Sequence, residues 1–335
     1  MLLFVATLGA CSGTPPRETR TELLLGTTVT VTIYGKSDSA VFDDVFARVE
    51  EIEQKMSTSE DDYDATELMQ VNDAAGAGAV TVSRDTLDVV KVALAFSEAT
   101  GGAFDVTVFP LVKLWGIGTE GAHVPTLTEI ESATALVNYR DVRLNEDDLS
   151  IYLPKAGMGI DVGGIAKGYA ADEAAAILKV AGVKHALLDF GGNILTVGDK
   201  PDGSLWRIGI QVPDATRGEY LGIATVADQA VVTSGTYERY FEEDGVRYHH
   251  ILDTKGGYPV QNGLESVTIF TKDSISPDAL STAIFALGLD AGYQFVDERP
   301  DTEALFVTSD KEIYMTSGVG DIFEVTNEEY ERRSF

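Results

Sequence analysis

Cysteine is almost missing from this sequence. The single one, Cys11, excludes an intrachain disulfide. Histidine is scarce as well: there are four, with no H-E-x-x-H and no cysteine partners, so a zinc site has no ligand set. Basic residues are few. Lys and Arg total 25 against 54 Asp and Glu, a net charge of −29. That balance argues against nucleic acid, whose phosphates need a basic surface, and against a polybasic membrane contact. After the N-terminus no apolar run reaches the roughly 18 residues of a transmembrane helix. There is no Walker loop, no G-x-S-x-G, and no internal period of a repeat architecture. The acidic side chains supply a soluble surface or, at some positions, ligands for a hard cation.

The N-terminus has its own character. Residues 2–8 are apolar and Gly9-Ala10-Cys11-Ser12-Gly13 follows, the pattern of a secretory signal. Leu8-Gly9-Ala10-Cys11 resembles a bacterial lipobox, in which the cysteine becomes the lipidated N-terminus. The expectation is a protein in the periplasm or another extracytoplasmic space, touching membrane only through a lipid on Cys11. Residues 12–22, with Pro15-Pro16 and several charges, read as a tether. Residues 1–22 are then signal remnant and tether, and 23–330 one folded unit.

Within that unit Thr28-Val29-Thr30-Val31-Thr32-Ile33-Tyr34 alternates like a strand. Ser39 is placed to cap a helix carrying Val41, Val45, Val49, Ile52 and Met56. Residues 57–82 read as a loop. Ser83 caps a second helix, closed by Gly101-Gly102, and Thr126 with Glu129 forms a capping box for a third. Strand-like runs follow at 186–190, 206–212, 221–226, 231–233, 266–270, 304–308 and 312–315, with helices near 277–287 and 290–298. Helices and strands mix without a strict βαβ repeat, so the class is α+β.

The chain is organised around residues 159–172, where Gly159, Gly163, Gly164 and Gly168 surround Asp161 and Lys167. Glycine permits positive φ and close backbone approach. A glycine-rich turn opening a helix is also a seat for an anion. On these residues alone a tight turn and a phosphate site are equally open. In Ser276-Pro277-Asp278-Ala279-Leu280-Ser281-Thr282, Ser at N-cap and Pro at N1 would start a helix. Asp278 and Thr282 then share one helix face at i and i+4. A carboxylate and a hydroxyl there suit Mg²⁺; they equally suit a dipole complement and a back-bonded Thr. His249 and His250 lie in a strand-like run, so their rings face opposite ways and one can be buried while the other is solvated. Asp105 follows a helix stop, where a turn role and a ligand role are both open. Asp189-Phe190-Gly191-Gly192-Asn193 ends a strand in a hairpin or a close backbone approach.

Together these stretches resemble the ApbE family of FAD:protein FMN transferases. Met56-Ser57-Thr58, residues 102–107, 161–172, 189–193, 233–240, 249–253 and 278–282 match in family order, across about 23–320. The resemblance implies an α+β fold of two mixed lobes with a flavin-nucleotide cleft between them. It implies that FAD is the substrate and Mg²⁺ the cofactor, and that FMN moves to a Thr or Ser hydroxyl of an acceptor protein with release of AMP. Carried over by position, Asp161 and Lys167 contact the flavin nucleotide, and Gly164 (through its carbonyl), Asp278 and Thr282 hold the metal. Ala103, Phe104 and Asp105 line the cleft, Ile251 touches the cofactor, Leu25 packs on the ring system, and Ser59 borders the adenine end. Two departures stand out. Asp253-Thr254-Lys255-Gly256-Gly257 replaces the family's D-P-x-T-G, and Ser59 stands where an aromatic is common, with Tyr63 later. Lys167 neutralises developing charge, and His250 is the candidate base for the attacking hydroxyl, its unperturbed pKa near ~6.5 suiting the task. The acceptor would carry an Asp-Gly-Ala-Thr-like motif, as in a redox-pump subunit or similar flavoprotein; this chain has none. The competing readings are an FAD pyrophosphatase, with water in place of the hydroxyl, and a lipoprotein that stores FAD without turnover.

Overall fold

Alternation in Thr27–Tyr34 has a direct structural outcome: Val29, Val31 and Ile33 are fully buried on one face of a sheet. Each such side chain stabilises the fold by roughly 1.5–3 kcal/mol relative to exposure. The computed structural model describes residues 16–36, 38–59, 65–216 and 218–335. In chain order the elements are β1 (Arg17–Leu24), β2 (Thr27–Tyr34), α1 (Ala40–Met56), α2 (Glu67–Asp73), β3 (Val80–Thr81), α3 (Arg84–Ala99), α4 (Phe109–Trp115), α5 (Leu127–Thr134), β4 (Arg143–Asn145) and β5 (Ser150–Tyr152). Then come α6 (Ala166–Val180), β6 (Ala186–Phe190), β7 (Asn193–Val197), β8 (Trp206–Gln211), β9 (Tyr220–Val226), β10 (Ala230–Gly235), β11 (Tyr240–Glu243), β12 (Val246–His249) and β13 (Leu264–Thr271). The chain closes with α7 (Ile275–Leu287), α8 (Leu289–Asp297), β14 (Glu303–Thr308), β15 (Glu312–Met315), α9 (Val319–Ile322), β16 (Phe323–Val325) and β17 (Glu331–Arg332).

Among the described residues one nine-stranded sheet runs β1-β2-β6-β7-β10-β13-β14-β15-β17. Its pairs are antiparallel except the edge pair β15 and β17. Period-two alternation divides its side chains between two layers. Val232 joins Val29 and Val31 against α1, α3 and α6, while Val267, Ile269, Ala304 and Phe306 pack on α7 and α8. Val231, Phe270, Leu305 and Val307 face the other way, onto a smaller sheet β16-β9-β8. The architecture is α+β, as the element pattern implies. Near α4 and α5, Trp115 stacks on Tyr248 of the β11–β12 hairpin and donates its indole N–H to the carbonyl of Gly257 at 2.8 Å.

The capping box of α5 is present, and Ser83 Oγ accepts from Thr86 N at the start of α3. Ser39 precedes α1 as expected but makes no side-chain cap bond. Two expectations need correction. Residues 17–22 of the expected tether form, with Leu23 and Leu24, β1 on the sheet edge. Its side chains are mostly exposed and polar, and it is held by backbone pairing and by Thr19–Thr32 and Thr21–Thr30 hydroxyl contacts at 3.0 Å, so it lacks an apolar signature. The expected loop 57–82 contains α2 and β3. Thr66 caps α2, but only Leu68 and Val71 are buried, too few for a helical period. Cys11, the lipobox and Tyr63 lie outside the described residues.

Candidate functional site

The glycine-rich stretch does open a helix, α6, but its glycines act through space rather than through unusual torsions. Gly159, Gly163, Gly164 and Gly168 are absent from the residues with positive φ. A Cβ on Gly168 would overlap the carbonyl of Ser274, and one on Gly159 would overlap the ring of Phe109. Gly168 is therefore what allows α6 and the start of α7 to touch. Two N–H groups at the α6 N-terminus are already bonded. Gly168 N donates to Asp278 Oδ2 at 2.9 Å, and Ala166 N bonds back to Val162. At Gly168 the anion that the α6 N-terminus receives is a carboxylate from α7.

Asp278 is the focus of the site. It is 3% exposed. Its Oδ1 lies 3.0 Å from Lys167 Nζ, and the same ammonium donates to the carbonyl of Gly163 at 3.1 Å. Thr282 is one turn along α7, with its hydroxyl 3.5 Å from Ser234 Oγ at the end of β10. A Cβ on Gly164 would lie 3.6 Å from that Thr282 hydroxyl, so Gly164 neighbours Thr282, which shares α7 with Asp278. Among the described residues no three His, Cys, Asp or Glu side chains cluster as a metal set. One carboxylate, one hydroxyl and one carbonyl still fit Mg²⁺, which fills its remaining positions with waters and phosphate oxygens. The buried carboxylate already faces a cation at its Oδ1, which is the chemistry such a site needs. The helix that carries it begins at Ile275 with Ser274 as N-cap, two residues earlier than expected from Ser276-Pro277. Asp172, from the second turn of α6, accepts from Ser274 N at 2.8 Å and from Ile275 N at 2.8 Å. Burial pushes its carboxyl up to about 6, with those backbone bonds pulling back.

Asp161 is half-buried and joined to the 57–59 segment: Thr58 Oγ1 donates to Oδ2 at 3.2 Å, and Gly163 N donates to Oδ1 at 2.8 Å. Ser59, half-buried, donates its N–H to Ser57 Oγ. Phe104 is buried with its ring edge beside Gly164, and Ala103 is half-buried next to it. The carboxylate of Asp105 is held by three donors, Thr107 N at 2.9 Å, Thr107 Oγ1 at 2.6 Å and Tyr139 N at 3.0 Å. Burial raises its pKa and these bonds oppose the rise. Between a turn role and a ligand role for that side chain, the bonds are those of a turn. Leu25 occupies the β1–β2 turn at φ 55°, followed by Gly26 at φ 64°. Arg239 Nη2 donates to the Gly26 carbonyl at 3.0 Å and clasps this turn to the segment after β10. Ile251 is 1% exposed, and its side chain packs in the core with Leu280 and Phe285.

The two histidines separate cleanly. His249 is 3% exposed; its Nε2 donates to the Val260 carbonyl at 2.7 Å, and its Nδ1 accepts from Ile251 N at 3.3 Å. Both nitrogens are used. His250 is exposed, and its Nδ1 lies 3.2 Å from the Arg239 carbonyl. A carbonyl can only accept, so Nδ1 carries the proton and Nε2 keeps a lone pair. Protein packed around the ring pushes its pKa below 6.5, Arg239's carbonyl opposes this, and the charges of Arg239 and Lys167 press the same way as the burial. Because the residue is also open to solvent, the direction is what matters: the imidazole is neutral at pH 7. Asp172, Ser234 and Arg239 were assigned no role from sequence, although each lies inside a matched stretch; their partners are far away in the chain.

A profile of the ApbE family matches residues 25–306. The chain is 39% identical over 295 residues to an FAD:protein FMN transferase of Klebsiella pneumoniae (strain 342), covering 88% of this chain and 90% of that one. It is 36% identical to an FAD:protein FMN transferase of Treponema pallidum (strain Nichols), covering 94% and 91%. The flavin transferase ApbE from Vibrio cholerae superposes with a TM-score of 0.83 at 28% identity, over 92% of this chain and 99% of that one.

Proposed function

The chain belongs to the ApbE family and transfers FMN from FAD to an acceptor protein; we propose that it does so with Mg²⁺, onto a Thr or Ser hydroxyl, with AMP as the leaving product. The acceptor oxygen forms a bond to the FMN phosphorus, and the bond from that phosphorus to the bridging oxygen breaks. Nε2 of His250 takes the hydroxyl proton, and the departing AMP carries the electron pair of the broken bond. What supports this reading is a neutral imidazole with a free lone pair that feels the charge of Lys167, and a buried carboxylate that faces the same ammonium. Asp278, Thr282 and the carbonyl of Gly164 would hold the metal, which when bound neutralises phosphate charge. Asp161 and Ser59 border the nucleotide, Phe104 and Ala103 wall it, and Leu25 covers the ring end. Asp105 and Asp172 do not touch substrate; they hold the walls and α7. A lipid on Cys11 and a place outside the cytoplasm belong to the same proposal and rest on Leu8-Gly9-Ala10-Cys11.

The test incubates the protein with FAD and Mg²⁺, with and without a peptide carrying Asp-Gly-Ala-Thr. Flavin on the peptide, with AMP formed only alongside it, is the expected result. AMP without peptide would mark an FAD pyrophosphatase, and neither product an FAD store.

A further inference from the structure

We infer that Lys167 and the divalent cation contend for a single oxygen, Oδ1 of Asp278, and that the phosphates of the incoming nucleotide decide the contest by drawing the ammonium away. The inference rests on the metal reading above and goes beyond it by coupling metal and nucleotide binding through one side chain.

Three observations carry it. The carboxylate has only one oxygen to offer. Asp278 is buried, and its Oδ2 is tied to Gly168 N at 2.9 Å. Oδ1 is the oxygen left for a metal, and Lys167 Nζ stands 3.0 Å from it. Two cations on one oxygen repel each other, so gain for one is loss for the other. Next, Lys167 sits at the second position of α6, in the first turn, where the helix dipole disfavours positive charge. Asp278 offsets that penalty, and once a metal takes the carboxylate the ammonium needs another anion. Finally, the ammonium can reach one. Lysine is a compact charge on a flexible four-carbon stem, and this side chain is 27% exposed. Its other partner, the Gly163 carbonyl, belongs to the turn beside Asp161, at the nucleotide wall.

The consequence is reciprocal: nucleotide strengthens metal binding, metal strengthens nucleotide binding, and both effects pass through Lys167. Two measurements on the purified protein test it. In the first, Mn²⁺ binding without nucleotide is read by electron paramagnetic resonance. Asp278→Ala should lose the site, and Lys167→Met should bind Mn²⁺ about tenfold more tightly than the parent. Unchanged or weaker binding in Lys167→Met overturns the contest. Undiminished Mn²⁺ binding in Asp278→Ala overturns the metal reading itself. In the second, FAD binding in EDTA is followed by flavin fluorescence. Asp278→Asn, which keeps an acceptor for Gly168 N, frees the ammonium and should tighten FAD binding about tenfold. In a Lys167→Met background the same change should have less than about a twofold effect. An equal gain in both backgrounds would mean that Asp278 repels FAD directly, and the exchange would be refuted.

Discussion

At the scale of single residues, hydrogen-bond accounting separates what adjacency in the chain cannot. His249 and His250 are neighbours, yet one has both nitrogens bonded inside the core and the other, exposed, keeps a lone pair. Of the two, it is the solvated histidine that the proposed reaction uses as its base. His250→Ala should lower single-turnover flavin transfer by roughly 10²–10⁴-fold and leave FAD affinity within a few-fold. His249→Ala should instead cost stability, about 1–3 kcal/mol, because the Val260 carbonyl loses its partner. The reverse pattern in transfer kinetics and denaturant melts would exchange their roles. Because the protein around His250 holds its pKa below 6.5, the acid limb of the rate profile should lie below that value. A limb centred above pH 7 would point to another base.

At the scale of elements, the site is the crossing of α6 and α7, set by Gly168 and pinned by Asp172. The α7 N-terminus begins at Ile275 because Asp172 satisfies its first free N–H groups, a role that local capping signals assign to Ser276. Asp172 also makes a pH prediction. Its folded pKa is raised from 3.8 to about 6 by burial, so between those values the folded state holds a proton that the unfolded state has lost. The associated stability is complete below pH 3.8 and lost as pH rises through about 6. Asp172→Asn keeps an acceptor and should flatten that decline, which amounts to at most about 3 kcal/mol. Denaturant melts across this range decide it; a variant profile parallel to the parent would rule Asp172 out as the source.

At the scale of the whole molecule, a net charge of −29 opposes an anionic nucleotide at long range, and the local cations act only at close range. Raising ionic strength from about 0.01 to about 0.15 M should therefore lower the KM for FAD, by roughly two- to fivefold, while riboflavin affinity stays constant. A KM that climbs with salt would show that local attraction dominates the encounter. The N-terminal expectation is tested in cells: full-length protein should partition into detergent, and Cys11→Ser should release it. A cytoplasmic product with an intact N-terminus would refute the lipid anchor.

The sequence by itself determined the local periods and the chemical inventory. The alternating strand at 27–34, the capped helices after Ser83 and Thr126, and the family's motifs in order are properties of neighbouring residues. They specify α+β structure, a flavin substrate and a short set of candidate side chains. Only the tertiary structure decided how those candidates are used. Gly168 and Asp278 are 110 residues apart and share a hydrogen bond. That single contact fixes the crossing of α6 and α7 and leaves Lys167 facing the carboxylate. Packing likewise put the Ile251 side chain in the core, and hydrogen bonds engage both oxygens of Asp105 and both ring nitrogens of His249. Strand β1 and helix α2 were hidden for the same reason: backbone pairing holds the first and the bonds of Asn72 to the backbone of distant Ile160 hold the second, and neither leaves a period in the sequence.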